Sequence, residues 1–144
     1  MAGVRRVSRS ILRYVYPLYV IAVIVQVYLA GEGIFALKNT SVQLDDANSL
    51  NAHRDFGWII SQPVALLLLI VTLLAWLPGT RLRVLSILLP ILLIIQSILP
   101  SGGRWVAALH PVNAFIILGL LGYLSSTFWR RGKLMEERAA AGTA

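Results

Sequence analysis

Four long apolar runs, none of which contains a charged residue, occupy most of the 144-residue chain. Each is close to the roughly 20 residues that a helix needs to cross a hydrocarbon core about 30 Å thick. The runs are unbroken rather than alternating, which favours helices over the strands of a closed barrel. The sequence therefore predicts an all-α protein, a four-transmembrane-helix antiparallel bundle, with the runs at residues 14–31, 56–77, 84–103 and 105–129.

The 13 basic residues are distributed unequally among the segments that flank these runs. Only Lys38, Arg54 and Arg104 lie in the first and third connections, and the other ten lie in the second connection and at the two ends of the chain. By the positive-inside rule this predicts a multi-pass membrane protein with both termini in the cytoplasm. The net charge of +7 then reflects topology and attraction to anionic membrane lipids, and nucleic acid is not expected as a partner.

Charge and apolarity together divide the chain into three segments. We expect a basic cytoplasmic N-terminus at 1–13, a membrane domain at 14–129 with spans at about 14–36, 52–77, 82–100 and 107–129, and a cytoplasmic tail at 130–144. Pro63 and Pro90 are expected to kink the second and third helices, because proline removes a backbone hydrogen bond. In the first connection, the stretch VQLDDANSL at 42–50 is a candidate for a short surface helix.

The chain contains no cysteine. This excludes disulfides, thiolate metal sites and covalently attached c-type haem. No GxSxG nucleophile motif is present, and no serine and histidine stand suggestively close within one element. We therefore expect a non-enzymatic protein.

His53 and His110 are the only histidines, and both stand where a helix is expected to begin on the outer side of the membrane. Imidazole is a usual ligand of b-type haem, and two helices of a bundle can hold the iron from both sides. Gly57 and Ala114 follow the histidines by one turn, so a small residue lies beside each ring, as a flat macrocycle requires. The pattern leads to the hypothesis of one b-type haem between two outer-side histidines in a small membrane redox protein.

The heights of the two histidines do not match by residue count. His53 lies 23 residues before Trp76, and His110 lies 19 residues before Trp129. If the two tryptophans mark one plane, the difference is about 6 Å at 1.5 Å per residue. Haem ligation therefore requires that the folded bundle closes this offset.

Three other interpretations of the histidines remain open. They can be interfacial residues near the starts of helices, without a ligand. Asp55, in the first turn of the second helix, can pair with Arg104 as a structural clasp. The histidines and Asp55 can also supply three ligands to zinc if two loops converge, although no HxxxH or HExxH spacing is present.

Each predicted helix carries one carboxamide in its outer half, namely Gln26, Gln62, Gln96 and Asn113. One interpretation is interhelical hydrogen bonding, which stabilises membrane bundles by about 1 kcal/mol per contact. The other is a polar cavity that opens outward, where Gln62 or Asn113 would bond an edge of the haem. The same cavity would instead hold a lipid or quinone in an accessory or scaffold bundle. A membrane protein partner or a homo-oligomer is compatible with either interpretation.

Two segments, AHRDFGW at 52–58 and LHPVNAFIILGL at 109–120, resemble small bacterial four-helix integral membrane proteins catalogued as a domain of unknown function. The resemblance covers roughly residues 14–129. It implies the fold, the topology and a location in the bacterial inner (cytoplasmic) membrane, and it brings no activity. A looser similarity, through histidines at helix starts, is to b-type cytochromes of the inner membrane, which typically present paired histidines at two depths. With a single pair, that similarity implies at most one haem, and electron transfer across the membrane would need a partner.

Overall fold

A computed structural model describes residues 2–37 and 48–141, with side chains as far as residue 132, and these residues are almost entirely helical. The described chain forms six α-helices in the order α1 (Ala2–Ala36), α2 (Asn51–Ser61), α3 (Pro63–Ala75), α4 (Thr80–Ile98), α5 (Arg104–Ala107) and α6 (Leu109–Ala141). Short 3-10 helices at Asn48–Leu50 and Leu99–Ser101 lead into α2 and follow α4.

These helices combine into four segments that are long and apolar enough to cross a membrane, at Ala2–Ala36, Asn48–Ala75, Thr80–Ser101 and Arg104–Gly132. α1 packs against α3 and α6, and α4 packs against the same two helices on the opposite side. Neighbours around this ring run in opposite directions, so the structure confirms the predicted all-α four-helix antiparallel bundle. The centre is apolar and is filled by side chains that are almost completely buried, among them Leu12, Leu68, Leu89, Leu121 and Leu124.

The second spanning segment is interrupted at Gln62, whose backbone (φ −114°, ψ −85°) leaves the helical region. Pro63 follows as the first residue of α3, where its missing N–H is not needed. The hydroxyl of Tyr19 donates to the backbone oxygen of Ile60 at 2.9 Å and so satisfies a carbonyl beside the break. Pro90, in contrast, lies inside α4, which runs through it from Thr80 to Ile98.

One end of the bundle is rich in arginine and carries the turn between α3 and α4. Trp76 ends α3 in the left-handed conformation (φ 39°), an uncommon geometry for a residue with a side chain. Arg9 of α1 donates to the backbone oxygens of Ala75 and Trp76, at 3.0 and 2.9 Å. The guanidinium of Arg83 lies 4.3 Å from the ring centroid of Trp76. We call this end, where Arg9 and Arg83 cover the last turn of α3, the arginine end.

At the opposite end, α1 and the start of the second segment touch directly. The hydroxyl of Ser49 donates to the backbone oxygen of Gly33 at 2.9 Å, and a Cβ at Gly33 would lie 2.7 Å from the Ser49 carbonyl oxygen. Of the surface helix considered at 42–50, residues 48–50 form a 3-10 turn and residues 42–47 lie outside the described part of the chain. We call this end, which also carries both histidines, the histidine end.

Candidate functional site

The two histidines meet at the histidine end. His53 lies in the first turn of α2 and His110 in the first turn of α6. Their ring centroids are 6.2 Å apart, with an angle of 73° between the ring planes. The two rings are therefore adjacent, and the offset of about 6 Å that residue counting gave does not keep them apart. Counting assumed one continuous helix from His53 to Trp76, whereas the helix is interrupted at Gln62, between the end of α2 and the start of α3.

Each histidine forms a reciprocal pair with a glutamine on the neighbouring helix. The Gln26 side-chain amide donates to the backbone oxygen of His53 at 2.7 Å, and Nδ1 of His53 lies 3.1 Å from the backbone oxygen of Gln26. In the same way, the Gln96 amide donates to the backbone oxygen of His110 at 3.0 Å, and Nδ1 of His110 lies 2.9 Å from the backbone oxygen of Gln96. The pair of His53 with Gln26 and the pair of His110 with Gln96 are therefore the two halves of the site, and each half has the same two hydrogen bonds.

The reciprocal pairs determine which ring nitrogen carries the proton. A backbone carbonyl can only accept, so Nδ1 of His53 and Nδ1 of His110 must both be the donors. In the neutral imidazole this leaves Nε2 unprotonated, with a lone pair. A backbone carbonyl that fixes the tautomer in this way is typical of metal-binding histidines.

The backbone carbonyl of Gln96 would lack a hydrogen-bond donor without Nδ1 of His110. In a continuing helix it would accept from the residue four positions later, and that residue is Pro100, which has no N–H. Nδ1 of His110 supplies the missing hydrogen bond. The hydrogen bond between His110 and Gln96 therefore caps the C-terminal end of α4 and also orients the His110 ring.

The two halves differ in what the glutamine oxygen contacts. The Asn113 amide, buried on α6, donates to the side-chain oxygen of Gln96 at 2.6 Å and to the backbone oxygen of Leu92 at 3.0 Å. The side-chain oxygen of Gln26 is buried and has no hydrogen-bond partner among the described residues. Phe56, three residues after His53, stands where α6 has Asn113, so the first half lacks this donor.

The structure gives Gly57 a different role from the one expected. A Cβ at Gly57 would collide with the side-chain nitrogen of Gln26. Gly57 therefore makes room for the amide that holds His53, and in this structure the space is not open to a macrocycle. Ala114, the corresponding residue on α6, is partly buried one turn after His110.

Gln62 and Asn113, which were expected to bond the edge of a ligand, use their amides within the protein. The Gln62 amide donates to the hydroxyl of Ser97, so α2 and α4 are joined next to the break in the second segment. Gln62 also lines a cavity of about 300 Å³ together with Trp58, Pro63, Leu66 and Ile94. The four carboxamides thus form hydrogen bonds between helices, as the first of the two interpretations predicted.

The two structural alternatives for the Asp55 region are not found. No ion pair joins Asp55 to Arg104 in the described chain, and the Arg104 guanidinium instead lies 5.5 Å from the ring centroid of Trp105. Among the residues with described placement, no group of three His, Cys, Asp or Glu side chains could hold a metal ion. Among the described residues, the structure therefore supports neither the alternative of an Asp55 to Arg104 clasp nor that of a zinc site with Asp55 as third ligand.

Sequence analysis did not identify Gln26 and Gln96 as the partners of the histidines. The available signal was that a glutamine lies near the end of each helix that runs toward the histidine end. Nothing in the spacing indicated that its side chain would bind the backbone of a histidine on another helix, because separations of 27 and 14 residues follow no common period.

Comparison with known proteins gives one match. The model of a family of unknown function, DUF6220, matches residues 26–103. No curated protein and no solved structure matches the chain. The matched region contains Gln26, His53 and Gln96, and it ends before His110. Since the match covers more than half of the chain, the protein belongs to this family of unknown function, which agrees with the resemblance found in the sequence.

Proposed function

We propose that the protein binds one b-type haem between His53 and His110 and acts as a small membrane redox protein. The observation that carries the proposal is the pair of imidazoles 6.2 Å apart between centroids, each with Nδ1 held by a backbone carbonyl. Both rings are thereby in the tautomer that offers Nε2 to a metal.

The separation of the rings suits one metal ion between them. Metal to imidazole nitrogen bonds are about 2.0 Å long, so an ion bound by two imidazoles on opposite sides separates the ring centroids by about 6 Å. The observed 6.2 Å agrees with this value. Two rings in van der Waals contact would satisfy the same distance, so the proposal also depends on the Nδ1 hydrogen bonds to the backbone oxygens of Gln26 and Gln96, which do not involve the glutamine side chains.

The number of protein ligands favours haem over a bare ion. Structural and catalytic zinc sites use three or four protein ligands, and no third metal-ligating side chain joins the two histidines in the described residues. Haem iron needs only axial ligands from the protein, because the porphyrin supplies the other four. Two histidines on different helices are therefore a complete set for haem and an incomplete set for zinc.

Haem binding requires a rearrangement around Gln26. Its amide now occupies the space beside Gly57, while its side-chain oxygen has no partner in the described chain. Rotation of the Gln26 side chain would open the space beside Gly57. The partnerless oxygen makes Gln26 easier to move than Gln96, which Asn113 holds.

We further propose that the histidine end faces the outer side of the bacterial inner membrane, with both termini in the cytoplasm. The unequal distribution of basic residues supports this orientation. A single haem at the outer side would exchange electrons with a partner at that surface, because no second histidine pair is available to carry them across.

The test is an ultraviolet-visible spectrum of detergent-purified protein from haem-replete cells. We expect a Soret band that shifts on reduction and is lost in His53→Ala and in His110→Ala. Gln62→Leu is the matched control, because it removes a carboxamide of the same bundle without touching either ring, and its Soret band should persist. Colourless protein that also fails to take up added haemin would contradict the proposal.

A second candidate function is an accessory bundle that binds a lipid or quinone. The cavity of about 300 Å³ favours it, because its walls are mostly apolar and Gln62 offers one polar group at the site. In this case Gln62→Leu should weaken the binding of an added quinone, whereas replacing either histidine by glutamine should leave it unchanged. The opposite pattern would point to the histidine pair.

A further inference from the structure

Three hydroxyl groups are buried together in the half of the bundle nearer the arginine end. They belong to Tyr16 of α1, Thr72 of α3 and Ser86 of α4, with exposed fractions of 0%, 1% and 0%. The Tyr16 hydroxyl is close enough to interact with the hydroxyls of both Thr72 and Ser86. None of the three forms a hydrogen bond of regular geometry with any described residue.

This arrangement is unusual for the interior of a membrane bundle. A buried hydroxyl without a hydrogen-bond partner lowers the free energy of unfolding by about 1–3 kcal/mol, so three of them in one place would destabilise the bundle considerably. The neighbouring side chains of the core, such as Leu12, Leu68 and Leu89, are apolar and offer no hydrogen-bonding group. A small molecule that both donates and accepts hydrogen bonds would satisfy all three hydroxyls.

We propose that Tyr16, Thr72 and Ser86 hold one buried water molecule between α1, α3 and α4. Buried waters typically make about three hydrogen bonds to protein groups, and the site offers three hydroxyls from three helices. Each hydroxyl can donate or accept, so one water satisfies all three at once. The site lies apart from the histidine pair and does not depend on haem. Its role is to join α1 to the α3–α4 hairpin where the Tyr16 ring also packs on Phe128.

The test is a crystal structure of the whole protein grown in a lipid mesophase. We expect a density peak within about 2.7–3.0 Å of all three hydroxyl oxygens. Hydroxyls that bond directly to one another, with no peak between them, would overturn the proposal.

Water-edited solid-state NMR in lipid bilayers gives an independent readout that needs no crystal. Magnetisation should pass from water to Ser86 in the wild type and much less in Tyr16→Phe. Ser61 is the matched control, since it is also buried but its hydroxyl is already bonded to the backbone oxygen of Gly57. Transfer to Ser86 that is no stronger than transfer to Ser61 would refute the bound water.

Discussion

Gln96 and His110 bind each other twice, from the Gln96 amide to the His110 backbone oxygen at 3.0 Å and from the His110 ring to the Gln96 backbone oxygen at 2.9 Å. Gln26 and His53 repeat the arrangement on the other side of the bundle. Each pair connects two helices at the histidine end.

Gln96→Leu should lower the free energy of unfolding by about 1–2 kcal/mol, because interhelical hydrogen bonds in membrane proteins contribute about 0.6–2 kcal/mol each. The change removes the bond to His110 and also the oxygen that accepts from Asn113. Unfolding in mixed detergent micelles, followed by circular dichroism, measures the loss. Gln62→Leu, which removes one bond to Ser97, is the comparison and should cost less. A larger loss for Gln62→Leu would show that the reciprocal pair is weak.

Gly57→Ala should break the hydrogen bond from the Gln26 side chain to the backbone oxygen of His53. The added methyl group would occupy the position of the Gln26 amide nitrogen, so this side chain must move and its bond to the His53 carbonyl is broken. We expect a loss of about 1 kcal/mol in the free energy of unfolding. The matched control is Gly119→Ala on α6, where a Cβ meets nothing within 4 Å. It should be neutral or slightly stabilising, because alanine favours helix. Equal behaviour of the two variants would argue against the contact.

Tyr19→Phe should lower the stability of the protein by removing a hydrogen bond next to the interruption between α2 and α3. The buried hydroxyl of Tyr19 donates to the Ile60 carbonyl, and its removal leaves that carbonyl without this donor at a cost of about 1–3 kcal/mol. Thermal unfolding in detergent measures the effect. Tyr28→Phe serves as the control, because Tyr28 is 69% exposed and should tolerate the change. If Tyr19→Phe unfolds at the wild-type temperature, the hydrogen bond contributes nothing measurable.

Arg9→Gln should weaken the arginine end. Arg9 binds the last two carbonyls of α3, where Trp76 is held in the left-handed conformation, and a cation near a helix C-terminus adds about 0.3–1 kcal/mol. We expect faster proteolysis in the turn that contains Pro78 and Gly79, measured on protein in detergent. Arg5→Gln, on the exposed start of the same helix, should be cleaved at the wild-type rate. Unchanged cleavage of Arg9→Gln would contradict this role.

The four spanning helices were predictable because each of them is locally determined. An uncharged run of about 20 residues satisfies its own backbone hydrogen bonds in lipid only as a helix, whatever its neighbours are. Proline marks a weak point of a helix for a similarly local reason, since it lacks one N–H. The second segment is interrupted directly before Pro63, whereas α4 continues through Pro90. In the site, the histidines could be identified from the sequence as candidates, because there are only two and both begin helices.

The meeting of His53 and His110 was not predictable, and residue counting indicated an offset instead. Gln26 and Gln96 were assigned only to interhelical bonding or a polar cavity, and Gly57 was expected to clear space that the Gln26 amide in fact fills. The alternative of an ion pair between Asp55 and Arg104 was inferred from neighbouring loops without their geometry, and the Arg104 guanidinium lies beside the ring of Trp105 instead.

The sequence by itself determined the four long apolar helical segments and the ends at which the histidines and most of the arginines lie, because these depend on runs of residues along one chain segment. Tertiary structure alone decided that the two imidazoles stand 6.2 Å apart with both Nδ1 atoms on backbone carbonyls. The physical reason is that such contacts depend on the direction in which α2 leaves the break at Gln62 and on the packing of four helices around it. No period or motif along the chain records either of these.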